Sequence, residues 1–432
     1  MSRPATLAAW LAYLETLHPK AIALGLDRVE AVRAKMGVRL DCPVVTVTGT
    51  NGKGSTSAML EAVLRCAGYR TGLYTSPHLL RYNERVRIGG EAQDDAALVA
   101  AFNAVEDSRG GIALTYFEYG TLAALFAFAR AELDVAILEV GLGGRLDAVN
   151  IVDADVAVVT AIDLDHMDYL GPTRADIARE KAGIFRAGRP VVCAEPDPPS
   201  TLIEHARAIG APVLLIGRDF GYVAEERQWR YWGPGGERYG LPVPALRGAY
   251  QLANAATALA VIGLLQDRRH VAAGAIRDGL CTVHLPGRFQ VLPGRPVVVL
   301  DVAHNPHAAR ALGATLGSMG YFPSTTAVFG MLADKDVRGV IDAVKARIER
   351  WFVAPLPGPR GGGVDSVRAA FESAGIPWSA LRMFDDIDSA FAAACGEADD
   401  ADRIVVFGSF LTVGGVLKNG VPQLQAKHLP HS

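Results

Sequence analysis

The chain is short of several things, and each shortage excludes a class of protein. It has five cysteines (Cys42, Cys66, Cys193, Cys281 and Cys395), far apart, odd in number and without a Cys-x-x-Cys pair. That argues against a disulfide framework or a thiolate zinc site and points to a reducing compartment, the cytoplasm. No apolar run approaches the roughly 18–20 residues of a membrane-spanning helix. Glu15 and Lys20 interrupt the amino-terminal stretch where a secretory leader would need an apolar run. Positive charge is not in excess: 43 Lys and Arg stand against 46 Asp and Glu, a formal net charge of −3. Neither a nucleic-acid backbone nor an anionic membrane is therefore the expected partner, although a local basic cleft for a small phosphate ligand is compatible with this balance. Repeats and low-complexity tracts are missing, and no coiled coil demands a second copy, so a monomer is expected. No Ser-His-Asp signature or activated thiol stands out, so covalent enzyme catalysis is not implied.

What is present is ample apolar material: 432 residues, 50% hydrophobic and 21% charged. This length suggests two large domains. Continuous apolar runs of strand length (Val44–Val47, Val135–Val140, Val156–Thr160, Pro190–Cys193) alternate with helical patterns, the signature of a parallel, doubly wound sheet. Phe220 to Leu241, with Trp229, Tyr231, Trp232 and a Gly-Pro-Gly-Gly turn, predicts a β-hairpin appendage. Helices are expected over Tyr250–Leu265 and Val271–Leu280. A second α/β series begins at Val297–Val302, with a helix from Pro306. The expected fold class is α/β: an amino-terminal domain over residues 1–286 with a mostly parallel doubly wound sheet and the small β appendage, and a smaller Rossmann-like α/β domain over 287–432. The boundary is placed near 284–296.

The richest segment is Thr48-Gly49-Thr50-Asn51-Gly52-Lys53-Gly54-Ser55, expected as a loop over Gly49–Ser55 between the strand at Val44–Val47 and a helix from Thr56 to Ala67. Glycines let backbone N–H groups turn inward onto phosphate oxygens, and a helix N-terminus adds partial positive charge. Lys53 can reach terminal phosphates, and the Ser55 hydroxyl can ligate Mg²⁺. The pattern departs from a standard Walker A loop, which needs glycine where Val47 stands and Ser or Thr where Gly54 stands. Glu139 ends an apolar strand, at the edge where α/β sheets bind ligands, positioned to hold Mg²⁺ beside phosphates.

This variant loop resembles that of the Mur ligase superfamily, and more closely its folylpolyglutamate synthase family. Thr75-Ser76-Pro77-His78-Leu79, Glu139 through Asp147 (Glu-Val-Gly-Leu-Gly-Gly-Arg-Leu-Asp), Glu180-Lys181-Ala182-Gly183-Ile184 and Asp301-Val302-Ala303-His304-Asn305-Pro306 resemble that family's motifs in the same order, over roughly residues 7 to 417. His18-Pro19, Leu24 to Val29 and Leu114 to Tyr119 are similar to its bifunctional bacterial branch. The resemblance implies ATP as co-substrate, bound by Gly49, Thr50, Asn51, Gly52, Lys53, Gly54 and Ser55 with Asn254 on the adenine side, and with Arg288 and Asp301 from the second domain. It implies two Mg²⁺ ions, with Ser55, Ser76, Glu139 and His166 as ligands. It gives Lys181 a carbamate: a buried amine beside cations loses its proton and can capture CO₂. Acceptor binding falls to Asp27, Arg28, Val29, Thr115, Tyr116, Phe117, Glu118, Leu146, Asp147 and Ala148. Physically, Tyr116 and Phe117 offer flat surfaces to a pterin or benzoate ring, and Arg28 could meet a carboxylate.

The implied reaction joins L-glutamate to dihydropteroate and γ-links further glutamates to reduced folates. A carboxylate will not condense with an amine in water, because oxide would have to leave; phosphorylation by ATP makes the acyl group displaceable. His304, which the resemblance places beside the nucleotide, or an aspartate of Asp163–Asp168 could take the amine's proton. An enzyme with folylpolyglutamate synthase activity alone is the alternative. A nucleotide-binding regulator that no longer ligates is more remote, since Lys53, Glu139 and Lys181 are all present.

Overall fold

The computed structural model describes residues 3–20, 22–358, 360, 361, 364–422 and 424. They divide into two compact units, Met1–Ala245 with Gln251–Val283, and Leu246–Tyr250 with His284–Ser432.

In the first unit, β1 (Val44–Thr48) is a run of valines and threonines buried along its whole length. β-Branched side chains suit a strand covered on both faces, and each fully buried valine contributes about 1.5–3 kcal/mol. It lies inside an eight-stranded sheet with β2 (Thr71–Tyr74), β3 (Val86–Ile88), β4 (Glu91–Ala92), β5 (Val135–Glu139), β6 (Val156–Val159), β7 (Val191–Cys193) and β8 (Val213–Leu215), in the order β4-β3-β2-β5-β1-β6-β7-β8. From β2 to β8 the pairings are parallel, and β3 and β4 extend one edge antiparallel. β1 pairs with β5 on one side and β6 on the other, with Val47 beside Glu139 and Thr48 beside Val159. The loops after these three strands therefore open at one edge of the sheet, where the strand order reverses and α/β sheets take their ligands.

Helices Leu7–Leu17 and Asp27–Met36 pack against Asp95–Arg109 and Tyr116–Ala129. Trp10 is fully buried there, its ring 5.8 Å from that of Phe102 and 6.1 Å from that of Tyr119. The amino-terminal segment is thereby fixed to the helix that begins at Tyr116.

The stretch expected as a hairpin is a three-stranded antiparallel meander: β9 (Gly221–Ala224), β10 (Gln228–Trp232) and β11 (Arg238–Pro242). β9 escapes a reading by pattern because its last three residues are half-exposed or exposed, and only Gly221 is buried. The helix expected from Thr56 begins instead at Lys53, so Gly54 and Ser55 belong to its first turn. Gly52, at φ 93°, makes the turn into the helix in a conformation that glycine adopts freely.

The second unit holds a six-stranded sheet of β12 (Gln290–Leu292), β13 (Val297–Leu300), β14 (Thr325–Phe329), β15 (Arg350–Val353), β16 (Leu381–Met383) and β17 (Arg403–Phe407), ordered β12-β13-β17-β14-β15-β16. It is parallel except for β12. Phe329, Trp351, Phe371 and Phe407 form an aromatic cluster in its core. Asn305 accepts from the Ala308 N–H at 2.9 Å and caps helix Pro306–Ser318, whose proline at the first position needs no N–H partner.

Candidate active site

The loop after β1 is held open by contacts to the loop after β6. Thr50 N–H donates to the Ala161 carbonyl at 2.7 Å, and the Thr160 hydroxyl donates to the Asn51 carbonyl at 2.7 Å. Gly49 sits at φ 151°, where a Cβ would stand 1.8 Å from Thr160 Oγ1; one on Gly52 would stand 2.7 Å from Asn254 Oδ1. These glycines are required by crowding as well as by backbone angle. Lys53 Nζ donates to the carbonyls of Gly49 (2.7 Å) and Thr50 (3.3 Å), which folds its ammonium over the loop. Behind the loop, Gln251 Nε2 donates to Ser55 Oγ at 3.4 Å, Asn254 Nδ2 to Gln251 Oε1 at 2.9 Å, and Thr56 Oγ1 to Asn254 Oδ1 at 3.4 Å. Asn254, expected on the adenine side, buttresses the loop itself in the structure.

Glu139, at the end of β5, is buried, and Thr75 Oγ1 donates to its Oε2. Ser76, next to Thr75, is half-buried. His166 holds a left-handed backbone (φ 52°) after β6, with Nε2 3.9 Å from Asp165 Oδ1. Among the described residues no cluster of three His, Cys, Asp or Glu side chains makes a metal cage. The donors on hand are a carboxylate and hydroxyls beside a phosphate-type loop. That hard-oxygen, incomplete set fits Mg²⁺, which keeps waters and shares its coordination with phosphates.

Lys181, on helix Arg174–Ala182, is 3% exposed. Burial first, and then the charge of Lys53, push its amine down to about 7, against the pull of Asp165 and Asp147. Its sequence neighbours are engaged elsewhere: Glu180 pairs with Arg145 at 2.8 Å, and Asp176 with Thr173 and Arg179. Asp147 closes the loop after β5, accepting from Leu142 N–H (2.8 Å) and Val149 N–H (3.1 Å), while burial raises its carboxyl to about 7.

Of the residues expected to bind the acceptor, Thr115 and Glu118 form a reciprocal cap at the start of helix Tyr116–Ala129. Phe117 lies against Gly141, where a Cβ would come within 2.6 Å of the ring, and 5.8 Å from the Tyr74 ring. Arg28, expected to be able to meet a carboxylate, already pairs with one within the chain: its Nη2 bonds Glu118 Oε1 and the Ala23 carbonyl, both at 2.8 Å, while its buried Nε has no partner. Val29 and Ala148 are buried in the core, so their side chains support the wall rather than present a surface. Asp27 is exposed and Leu146 half-buried, and Leu146 meets the amino-terminal segment through its carbonyl, which accepts from Gly25 N–H at 3.4 Å.

In the second unit, Asp301 is buried and raised to about 6, and both its oxygens are taken, by Phe289 N–H (2.9 Å) and Ala303 N–H (2.8 Å). Arg288 and His304 flank Phe410, at 5.1 Å and 6.2 Å from its ring.

Residues 47–262 match the Mur ligase middle domain and residues 287–410 the Mur ligase glutamate ligase domain. The chain is 47% identical over 413 residues to the dihydrofolate synthase/folylpolyglutamate synthase of Escherichia coli (strain K12), covering 95% of each chain. The chain belongs to this Mur ligase family. Its fold superposes with a TM-score of 0.90 on E. coli FolC in complex with DHPP and ADP, at 47% identity, over 95% of this chain and 97% of that one. A bifunctional folylpolyglutamate synthase/dihydrofolate synthase with Mn, AMPPNP and L-glutamate bound gives 0.88 at 46% identity, over 95% and 97%. The mostly parallel α/β architecture read from the sequence is that of the family.

Two residues of this Mur ligase's site carried no signal in motif reading, Thr160 and Gln251, while Thr75, which stands in the same motif as Ser76, was given no role there and meets Glu139 only in the fold. Thr160 and Gln251 meet the loop across 109 and 196 residues of chain, and only folding reveals them.

Proposed function

We propose that this Mur ligase is an ATP-dependent dihydrofolate synthase/folylpolyglutamate synthase. One observation carries the reading. The glycine loop and the Glu139–Thr75 pair open at the same sheet edge as the loop that meets Phe117 and the amino-terminal segment. Phosphate chemistry and a flat aromatic acceptor are thus served from one place.

The acceptor carboxylate forms a bond to the γ-phosphorus of ATP as the bond to the bridging oxygen breaks and ADP leaves. The glutamate amine then forms the amide as the acyl C–O bond breaks and inorganic phosphate leaves. Lys53 swings from its loop carbonyls onto phosphate oxygens, and loop N–H groups receive the rest of the charge. Ser55 and Glu139, with Ser76 and His166, are the residues that would hold Mg²⁺, which neutralises charge on the phosphates when bound. Asn254, Arg288 and Asp301 are assigned to the nucleotide; Asp27, Thr115, Tyr116, Phe117, Leu146 and Asp147 to the acceptor side. His304 and the aspartates of Asp163–Asp168 are the candidates for the amine's proton.

Purified protein given ATP, Mg²⁺, L-glutamate and dihydropteroate should release ADP only when all are present, with acceptor-carboxyl oxygen appearing in inorganic phosphate. Release independent of glutamate overturns the reading, and activity with tetrahydrofolate but never dihydropteroate reduces it to folylpolyglutamate synthesis alone. Glu139→Gln keeps the side chain's shape and removes its charge. Turnover should fall by about two to three orders of magnitude, and the rate's dependence on Mg²⁺ should shift to higher concentration, as read by ADP release across a metal titration.

The five cysteines are free thiols, which supports a cytoplasmic location. No helix among the described residues is long and apolar enough to cross a membrane. A monomer is the proposed state, to be read by sedimentation.

A further inference from the structure

Arg28 pairs with Glu118 through Nη2, and a second cation of the first unit, Arg85, stands beside the helix that begins at Tyr116. It lies between the two poles of the site. Its carbonyl accepts from Thr75 N–H at 3.0 Å, one residue's hydroxyl away from Glu139, and its guanidinium stands 5.5 Å from the ring of Tyr116 on the acceptor helix and 5.3 Å from that of Tyr82. Nε donates to His78 Nδ1 at 2.8 Å. An arginine Nε can only donate, so the imidazole there is neutral with its proton on Nε2, and the bond fixes the plane of the guanidinium.

Arg28, Arg87 and Arg109 each carry a carboxylate within 2.8 Å. Arg85, half-buried, has no carboxylate within ion-pair distance among the described residues, and its Nη groups carry no hydrogen bond there. Its face is used by two tyrosines and its inner edge by an imidazole, which leaves the outer fork, the part of arginine matched to a carboxylate.

We propose that the Nη fork of Arg85, aligned by His78, binds the acceptor carboxylate that is to be phosphorylated. The inference rests on the ligase reading above and adds to it the group that grips the reacting acid. Calorimetric titrations in the presence of a non-hydrolysable ATP analogue compare dihydropteroate with the same molecule lacking its carboxyl group, on wild type, Arg85→Ala and Arg85→Lys. Arg85→Ala should weaken dihydropteroate by about 10- to 100-fold and the decarboxylated compound by less than about twofold, with Arg85→Lys between, because a lone ammonium cannot make the bidentate pair. Affinity for the ATP analogue should not change, which also reports that the variants are folded. Equal weakening of both compounds, or of neither, overturns the inference. If wild type binds dihydropteroate and releases ADP as expected, such a flat comparison sinks Arg85 alone; if wild type binds neither compound, the ligase reading falls with it.

Discussion

Replacing Lys181 with alanine is expected to cut turnover by at least about two orders of magnitude, the scale on which preorganised charge at a phosphoryl or acyl centre acts. The reason lies in its surroundings. An ordinary lysine with an amine near 10.4 is neutral in about one molecule in several thousand at pH 7, whereas Lys181, pushed down to about 7, is neutral in roughly half. Only the neutral amine can add CO₂ and become an anionic carbamate, so burial and the Lys53 charge prepare this position for that chemistry. Small carboxylates such as acetate should restore part of the activity of Lys181→Ala by standing in for the carbamate, and bicarbonate should not. Wild type supplied with ¹³C-bicarbonate should show a carbamate resonance that the variant lacks. Full activity in Lys181→Ala removes the carbamate argument.

The same residue sets a stability test with a definite sign. The folded amine titrates below the unfolded one, so between about pH 7 and about pH 10.5 the unfolded chain holds the extra proton and stability rises with pH. Below pH 7 both states are protonated and the full cost of a buried charge is present; above 10.5 it is gone. Lys181→Met, of similar length and uncharged, should therefore unfold later than wild type at pH 6 without bicarbonate, and the advantage should shrink steadily as pH rises to 10. Denaturant midpoints across that range decide it.

What could be read before folding follows from how local each signal is. The buried strands at Val44, Val135 and Val156 and the glycine loop announce themselves within a few residues, because continuous β-branched runs and clustered glycines have little else to be. The start of the helix after the loop was legible only to within three residues, since Lys53-Gly54-Ser55 has no helical pattern and the left-handed turn at Gly52 decides the entry. The ion pair of Arg28 was illegible for another reason. Its partner Glu118 lies 90 residues away, and nothing in either segment shows that the cap at Thr115 leaves Glu118 an oxygen to spare. The availability of a charged side chain is a tertiary property, and the same holds in reverse for Arg85.

Gly49→Ala is expected to disable the nucleotide loop although it adds one methyl group. At φ 151° an L side chain is strained, and its Cβ would stand 1.8 Å from Thr160 Oγ1 and 3.1 Å from the Ala161 nitrogen. Backbone strain of this kind costs about 1–3 kcal/mol and overpacking a similar amount. The side chain that must move is the one whose hydroxyl holds Asn51, and Ala161 is the partner of Thr50. The displacement is thus delivered to the N–H groups meant for phosphate. kcat/KM for ATP should fall by at least about two orders of magnitude, and the melting temperature by several degrees. Thr160→Ala in the same chain removes the 1.8 Å conflict but leaves the strained angle and the Ala161 nitrogen in place. It should return part of the stability and little of the nucleotide affinity, because the Asn51 anchor is lost with the hydroxyl. If Gly49→Ala alone binds ADP as wild type does, the close approach of these two loops is not what shapes the phosphate site.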